Sequence, residues 1–313
     1  MGKSIEHLVA ALDSTLQADD RKHVYLLVDP MLREPFDPVL PDALGCTVVA
    51  VPVRHPAIAP DQWPRLIQLR PVARDLLVAS VVLALAEQSD PVRESAAGFT
   101  IGGWLFSAAD AETVARHLAQ VMECRPVAGG GRKYLRWADR RVLECLWDEL
   151  SEAQRGQLLG PISTWLAINR CGEIAAFAPG EPANGDATPH ERLRLRSQDW
   201  AVASRCETVQ QLLRGWLRFH PMLPVDHLRR AKHAVSEALA LGLADQQDIV
   251  LFGAYLLQVH PQLARHPRVY GVVQQAVVRS IPLGDALAEI PDPEGWNDIR
   301  RDLSGQSQPR VAR

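Results

Sequence analysis

One segment breaks the pattern of the chain: APGEPANGDATPHERLRLRSQ, residues 178–198. It gathers Pro, Gly, Asn, Asp and charges, and its first half has no apolar face to bury. Such a stretch reads as a linker between separately packed regions. Before it, strand-like and helix-like patterns mix; after it, nearly everything is helix-like. The 313 residues are enough for two cores. The expectation is an α/β domain (mixed sheet with helices) over residues 1–180, a linker over 181–198 and an all-α domain over 199–305.

In the first region, HVYLLVDP (23–30) reads as a strand ended by Asp29-Pro30, and LIQLRPV (66–72) as a second. The run over 75–87 reads as a helix and TIGGWLFS (100–107) as a strand. Ser107 is then placed to cap the helix SAADAETVARHLAQVM, which has acids in its first turn. RKYLRWA reads as a further strand, DRRVLECLWDEL as a helix, and SEAQRGQLLGP as a helix opened by Ser151. EIAAFAP (173–179) closes the sheet.

In the second region, TVQQLLRGWLRFH sets Leu212, Leu213, Trp216 and Leu217 on one helical stripe. PVDHLRRAKHAVSEALALGL follows, with Pro224 before it and Gly242 near its end. DQQDIVLFGAYLLQVHP, stopped by Pro261, and PRVYGVVQQAVV complete a helical bundle. His55, His220, His260 and His266 each precede proline, which marks helix stops or turns rather than metal ligands.

Charge and composition narrow the function classes. A net charge of −3 argues against a general nucleic-acid binder. The five cysteines, at 46, 124, 145, 171 and 206, are odd in number and lack CxxC spacing, so they read as small buried residues in a reducing cytoplasm. The N-terminus reads as a short amphipathic helix rather than a signal peptide, and Glu6 breaks the myristoylation pattern. The longest predominantly apolar run, Leu76 to Ala86, spans 11 residues, against the roughly 20 a membrane span needs. Gly129-Gly130-Gly131-Arg132 lacks both P-loop and dinucleotide spacing, and there is no GxSxG or HExxH. No spacing here forces a catalytic pair, and neither a cofactor nor a metal is expected.

The densest stretch is KYLRWADRRVL, 133–143. As a strand it sets Leu135 and Trp137 on one face. Asp139 then falls at the N-cap of the helix starting at Arg140, where its carboxylate accepts backbone N–H groups and pairs with Arg136. Val142, Leu143, Leu146 and Leu150 form that helix's buried stripe. Basic residues among aromatics also bind phosphates, but Asp139, Glu144, Asp148 and Glu149 work against that here.

HVYLLVDPML, then GWLFS, then KYLRWADRRVLECLWDELSEAQRGQLLGPISTWL, in this order, resemble the adaptor (effector chaperone) proteins of bacterial type VI secretion. In that family the third block usually reads aromatic-Arg-aromatic-x-Asp-Pro-Arg-Val-Leu. Arg136, Trp137, Asp139, Arg141, Val142 and Leu143 match it, and Arg140 stands where proline is usual. GPISTWL resembles the family's segment ending in a tryptophan, here Trp165. The similarity covers about residues 20 to 170, and 242 to 269 resembles the family's weaker C-terminal pattern. The resemblance implies a non-enzymatic protein of the donor cell's cytoplasm. It would bind a cognate toxin encoded nearby and help load it onto the spike protein. Arg136, Trp137, Asp139, Arg140, Arg141 and Trp165 are its candidate partner-binding or signature residues. Trp63, Trp104 and Trp216 are further anchor material, or core. The rivals are an enzyme whose hydrolytic cleft uses Asp29 and a histidine, and a cytoplasmic regulator using 132–141 on nucleic acid.

Overall fold

The computed structural model describes residues 2–17, 23–37, 44–69, 74–124, 131–180 and 193–306. Most of the expected linker, 181–192, and Gly129-Gly130 lie outside them. The chain forms two compact units, Met1–Ser204 and Arg205–Arg313.

The first unit is built on a six-stranded sheet in the order β2-β3-β1-β4-β7-β8. The strands are β1 (His23–Val28), β2 (Val48–Ala50), β3 (Arg65–Leu69), β4 (Ile101–Ser107), β7 (Ile162–Ile168) and β8 (Ile174–Phe177). Every neighbouring pair is antiparallel. β1 and β4 lie in the middle and are buried on both faces, so they read as continuous apolar runs rather than alternating ones. Val24, Leu26 and Val28 of β1, Trp104 and Phe106 of β4, and Leu166 and Ile168 of β7 share a core with two helices. These are α1 (Gly2–Gln17), through Leu8, Val9 and Leu12, and α2 (Arg74–Ser89), through Leu76, Leu77, Val81 and Ala84. Further helices are α3 (Pro91–Ala97), α4 (Ala111–Met122), α5 (Arg140–Trp147), α6 (Glu152–Leu159) and α7 (Ser197–Ala203). α4 packs on β2 and β3, α5 on β4, and α6 on β7.

The centre of the sheet carries a deliberate irregularity. Leu27 faces Gly103 and Val28 faces Ile101, so Gly102 is the extra residue of a bulge. Gly103 has φ +129°, and a Cβ there would lie 2.3 Å from the Leu166 carbonyl oxygen. The space it leaves admits the Trp165 indole, whose Nε1 donates to the Gly102 carbonyl at 3.0 Å.

Three local expectations shift. The helix after β4 is capped by Asp110, which accepts from Thr113 N at 2.7 Å, and not by Ser107. Ser107 stays in the strand, where its hydroxyl donates to Pro161 O and accepts from Ala109 N. RKYLRWA is not a sheet strand. Only Lys133–Tyr134 (β6) is extended, pairing with Glu123–Cys124 (β5), and the chain then curls through Trp137 N to Leu135 O and Asp139 N to Arg136 O. The curl lets Trp137 Nε1 reach Val121 O, so this indole is fully buried with its polar atom satisfied. Finally, Cys171 is exposed, while the other four cysteines are buried.

Residues 193–203 belong to the first unit. Leu193 and Leu195 are buried. Gln154 of α6 donates to Arg194 O and to the buried Asp199, which Arg196 also holds. Ser151 opens α6 as expected, and Gln154 completes a capping box with it.

The second unit is all helix: α8 (Cys206–Phe219), α9 (His227–Ala240), α10 (Gln246–Gln258), α11 (Pro267–Arg279), α12 (Leu283–Leu287) and α13 (Glu294–Gln306). Leu212, Leu213 and Trp216 of α8 enter its core as expected, with Val235, Phe252, Leu256, Val273 and Trp296, while Leu217 is half-buried. His220 ends α8, but His266-Pro267 opens α11, with proline in the first helical turn, where its missing N–H costs nothing.

Candidate functional site

The corner that the sequence singled out lies beneath the surface. Asp139 is the N-cap of α5, accepting from Arg141 N at 3.0 Å. The three arginines around it face inward, and four chain segments supply their partners.

Arg136 donates from Nε to Asp29 at 2.5 Å and lies 3.6 Å from Asp139. Asp29 is held at the end of β1 by its backbone N–H on Thr100 O, and its carboxylate also accepts from Met31 N. Arg141 pairs with Asp139 at 2.6 Å and with Glu94 of α3 at 3.1 Å. Glu94 in turn takes Arg170, which follows β7, at 2.6 Å. Arg140 pairs with Glu87, in the last turn of α2, at 2.7 Å. It also donates to Ile101 O at 2.8 Å and Ala84 O at 2.6 Å. Glu87 accepts from both the backbone N–H and the hydroxyl of Thr100.

Phe99 sits among these charges. The guanidinium carbons of Arg140, Arg141 and Arg170 lie 3.9, 4.7 and 5.5 Å from its ring centroid. The ring's negative face offsets part of the cost of stripping water from three cations. Beside it, Gly98 (φ +61°) ends α3, and a Cβ there would press 3.3 Å from Arg141 Nη2 and 3.4 Å from Arg136 Nη1.

The network is nearly dry. Side-chain exposure is 2 % for Arg140, 1 % for Arg170 and Glu94, and 0 % for Asp29; Arg136 is the most open, at 16 %. Burial raises the carboxyl pKa of Asp29 above the ordinary range, against the pull of Arg136. Burial acts on Asp139 too, but Arg141, Arg136 and the helix N–H outweigh it and hold its carboxyl below that range. Arg140 is lowered by burial and supported by Glu87; Arg136 ends above its usual value because Asp29 and Asp139 outweigh its burial.

The candidate residues are therefore brought together, all facing inward. Arg136, Asp139, Arg140 and Arg141 share the network; Trp137 and Trp165 are buried tryptophans beside it. Of the stripe, Leu143, Leu146 and Leu150 are buried and Val142 is half-buried. Trp104 and Trp216 are core, and Trp63 is half-buried. Sequence reasoning missed Glu87, Glu94, Phe99 and Arg170. Glu87 carried a usable signal, as an acid late in α2 with no lysine or arginine at helical spacing to pair with.

The arrangement is suited to holding the end of β1, α2, α3, α5 and the turn after β7 in one shape. No histidine is among the partners of Asp29 in the described residues. Among the described residues no group of three or more His, Cys, Asp or Glu is placed to hold a metal ion, and no helix is long and apolar enough to cross a membrane.

Residues 60–157 match a family model described as a domain of unknown function, DUF4123. Comparison with curated proteins and with solved structures returned no match. The matched segment takes in Glu87, Glu94, Phe99 and the whole 136–141 corner, and leaves Asp29, Trp165 and Arg170 outside.

Proposed function

We propose that this chain is an effector adaptor of a bacterial type VI secretion apparatus. It binds a cognate toxin in the donor cytoplasm and promotes its loading onto the spike protein, without catalysing a reaction. The match of residues 60–157 with DUF4123, a domain associated with such adaptors, carries the reading. The ordered blocks from HVYLLVDPML to GPISTWL support it from the sequence.

The physics of the corner fits a scaffold. Recognition of one partner is strongest when the surface is already in its bound shape, because less ordering entropy is lost on association. A buried network tying β1, α2, α3, α5 and the turn after β7 supplies that rigidity. Its residues would act by holding the surface above them, where exposed Leu32 lies beside Gly98.

The test is co-expression of the full chain with the toxin and spike proteins encoded beside it. A stable complex with the toxin, and spike capture that requires this chain, are the expected results. Well-folded protein that binds neither neighbour would overturn the reading.

A further inference from the structure

The loop joining α8 and α9, residues 220–226, places apolar side chains where a folded chain rarely leaves them. Phe219 is 68 % exposed, Met222 89 % and Val225 100 %. Phe219 closes α8, and Met222 and Val225 lie in the connection that follows, with His220 and Pro221 exposed between Phe219 and Met222. The loop is not loose. Leu223 packs into the core of its unit, His220 N bonds to Trp216 O, and both the backbone N–H and the ring Nδ1 of His227 bond to Pro224 O at 2.9 Å.

The rim is basic and ordered. Arg218 precedes Phe219 and is exposed. Asp226 takes Arg229 at 2.6 Å and Arg230 at 2.8 Å, which orients both guanidiniums beside the loop. Phe, Met and Arg are the residue types enriched where proteins meet, and a ring of Arg around an apolar centre complements a partner of opposite charge.

We infer that this loop is a preformed docking point for an acidic protein segment that carries its own apolar anchors. The inference concerns the second unit, outside the DUF4123 match, and does not depend on the adaptor reading. A lipid surface fits less well. Three arginines with a carboxylate among them fall short of the roughly four to eight basic residues that anionic headgroups read. No apolar helix stripe continues the patch, since the buried side chains of α8 and α9 are already spent on the core.

The probe is a short synthetic peptide of Leu and Glu, with leucines at i, i+3, i+4 and i+7, titrated against the full chain. The expected result is salt-sensitive binding, weakened roughly tenfold or more by combined Phe219→Ser, Met222→Ser and Val225→Ser. Arg218→Glu should weaken it several-fold, and a Leu–Lys analogue should not compete. Met222→Ser alone, at a nearly free side chain, guards against misfolding of the triple variant and should weaken binding measurably. No binding to the wild-type chain, or equal binding by the triple variant, overturns the inference. So does loop-dependent association with phosphatidylglycerol–phosphatidylcholine vesicles, or self-association that the triple variant abolishes.

Discussion

The corner around Asp139 and the loop around Met222 invert the usual partition in opposite directions. One buries four arginines; the other exposes three large apolar side chains. Both depart from the rule that charges face water and hydrocarbons do not. The corner resolves most of its departure internally, with a carboxylate for each guanidinium and an aromatic ring among them, and leaves Arg136 Nη2 and Arg140 Nε without a hydrogen-bond partner among the described residues. The loop does not, because nothing among the described residues of its own unit covers it. An inverted region paired within the fold holds its segments in one shape, and one that is left open is available to a partner.

The sharpest way to break that contrast is Arg140→Ala. It would leave Glu87 charged and buried with only Thr100, at a cost of about 3–5 kcal/mol, read as a large fall in Tm. Replacing both partners together, Arg140→Met with Glu87→Leu, should recover part of that loss, because an apolar pair needs no counter-charge, while the N–H and hydroxyl of Thr100 and the Ile101 carbonyl lose their partners. Recovery would show that the pair is retained for shape and not for net stability.

Next in size is Gly103→Ala. A methyl group at φ +129°, 2.3 Å from Leu166 O, should cost roughly 2–4 kcal/mol in denaturant unfolding and free the Trp165 indole.

Asp139→Ala removes a cap and a counter-charge together, about 2–3 kcal/mol at neutral pH. The pH dependence has a definite sign. Because the folded Asp139 carboxyl lies below its unfolded value, near 4, its stabilisation is present above that value and is lost as pH falls through the folded one. Asp29, raised by burial, runs the other way: its contribution favours the folded state below the unfolded value and fades as pH rises through the folded one. Asp139→Asn should therefore flatten the acid limb of the stability curve, and Asp29→Asn should not.

Asp110→Ala should lower the Tm only slightly, as the loss of an exposed helix cap. The smallest effect belongs to the loop: Phe219→Ser, Met222→Ser and Val225→Ser together should change stability by no more than about 0.5 kcal/mol by calorimetry. A large loss there would mean that the loop is structural after all, and the contrast would fail.

What could be read from residues alone was local. Asp139 and Ser151 as caps, the stripes of α5 and α8, and the ends of β1 and β4 each depend on residues within about four positions, the reach of a helical turn or a strand's alternation. The same locality explains the errors. Ser107 and Asp110 both satisfy a capping pattern, and only the bond from Ser107 to Pro161 decides between them. RKYLRWA alternates like a strand, yet the indole of Trp137 finds Val121 by curling.

Pairing across the sheet was legible only in fragments, because β2 is short and β7 looks like any apolar run until Gly102 and Gly103 open a place for Trp165. The charges were least legible of all. Arg136, Arg140 and Arg141 are legible as candidate partner-binding or signature residues, with only Asp139 expected beside Arg136, and the carboxylates they meet on other segments lie 107, 53 and 47 residues away along the chain. An ion pair carries no sequence periodicity, so its existence depends on which segments the packed core brings within a few ångströms. The chain's own pattern thus settled where helices start and which faces turn inward. Packing alone decided that Arg140, at a helix position where the family resemblance leads one to expect proline, anchors the end of α2 to the sheet.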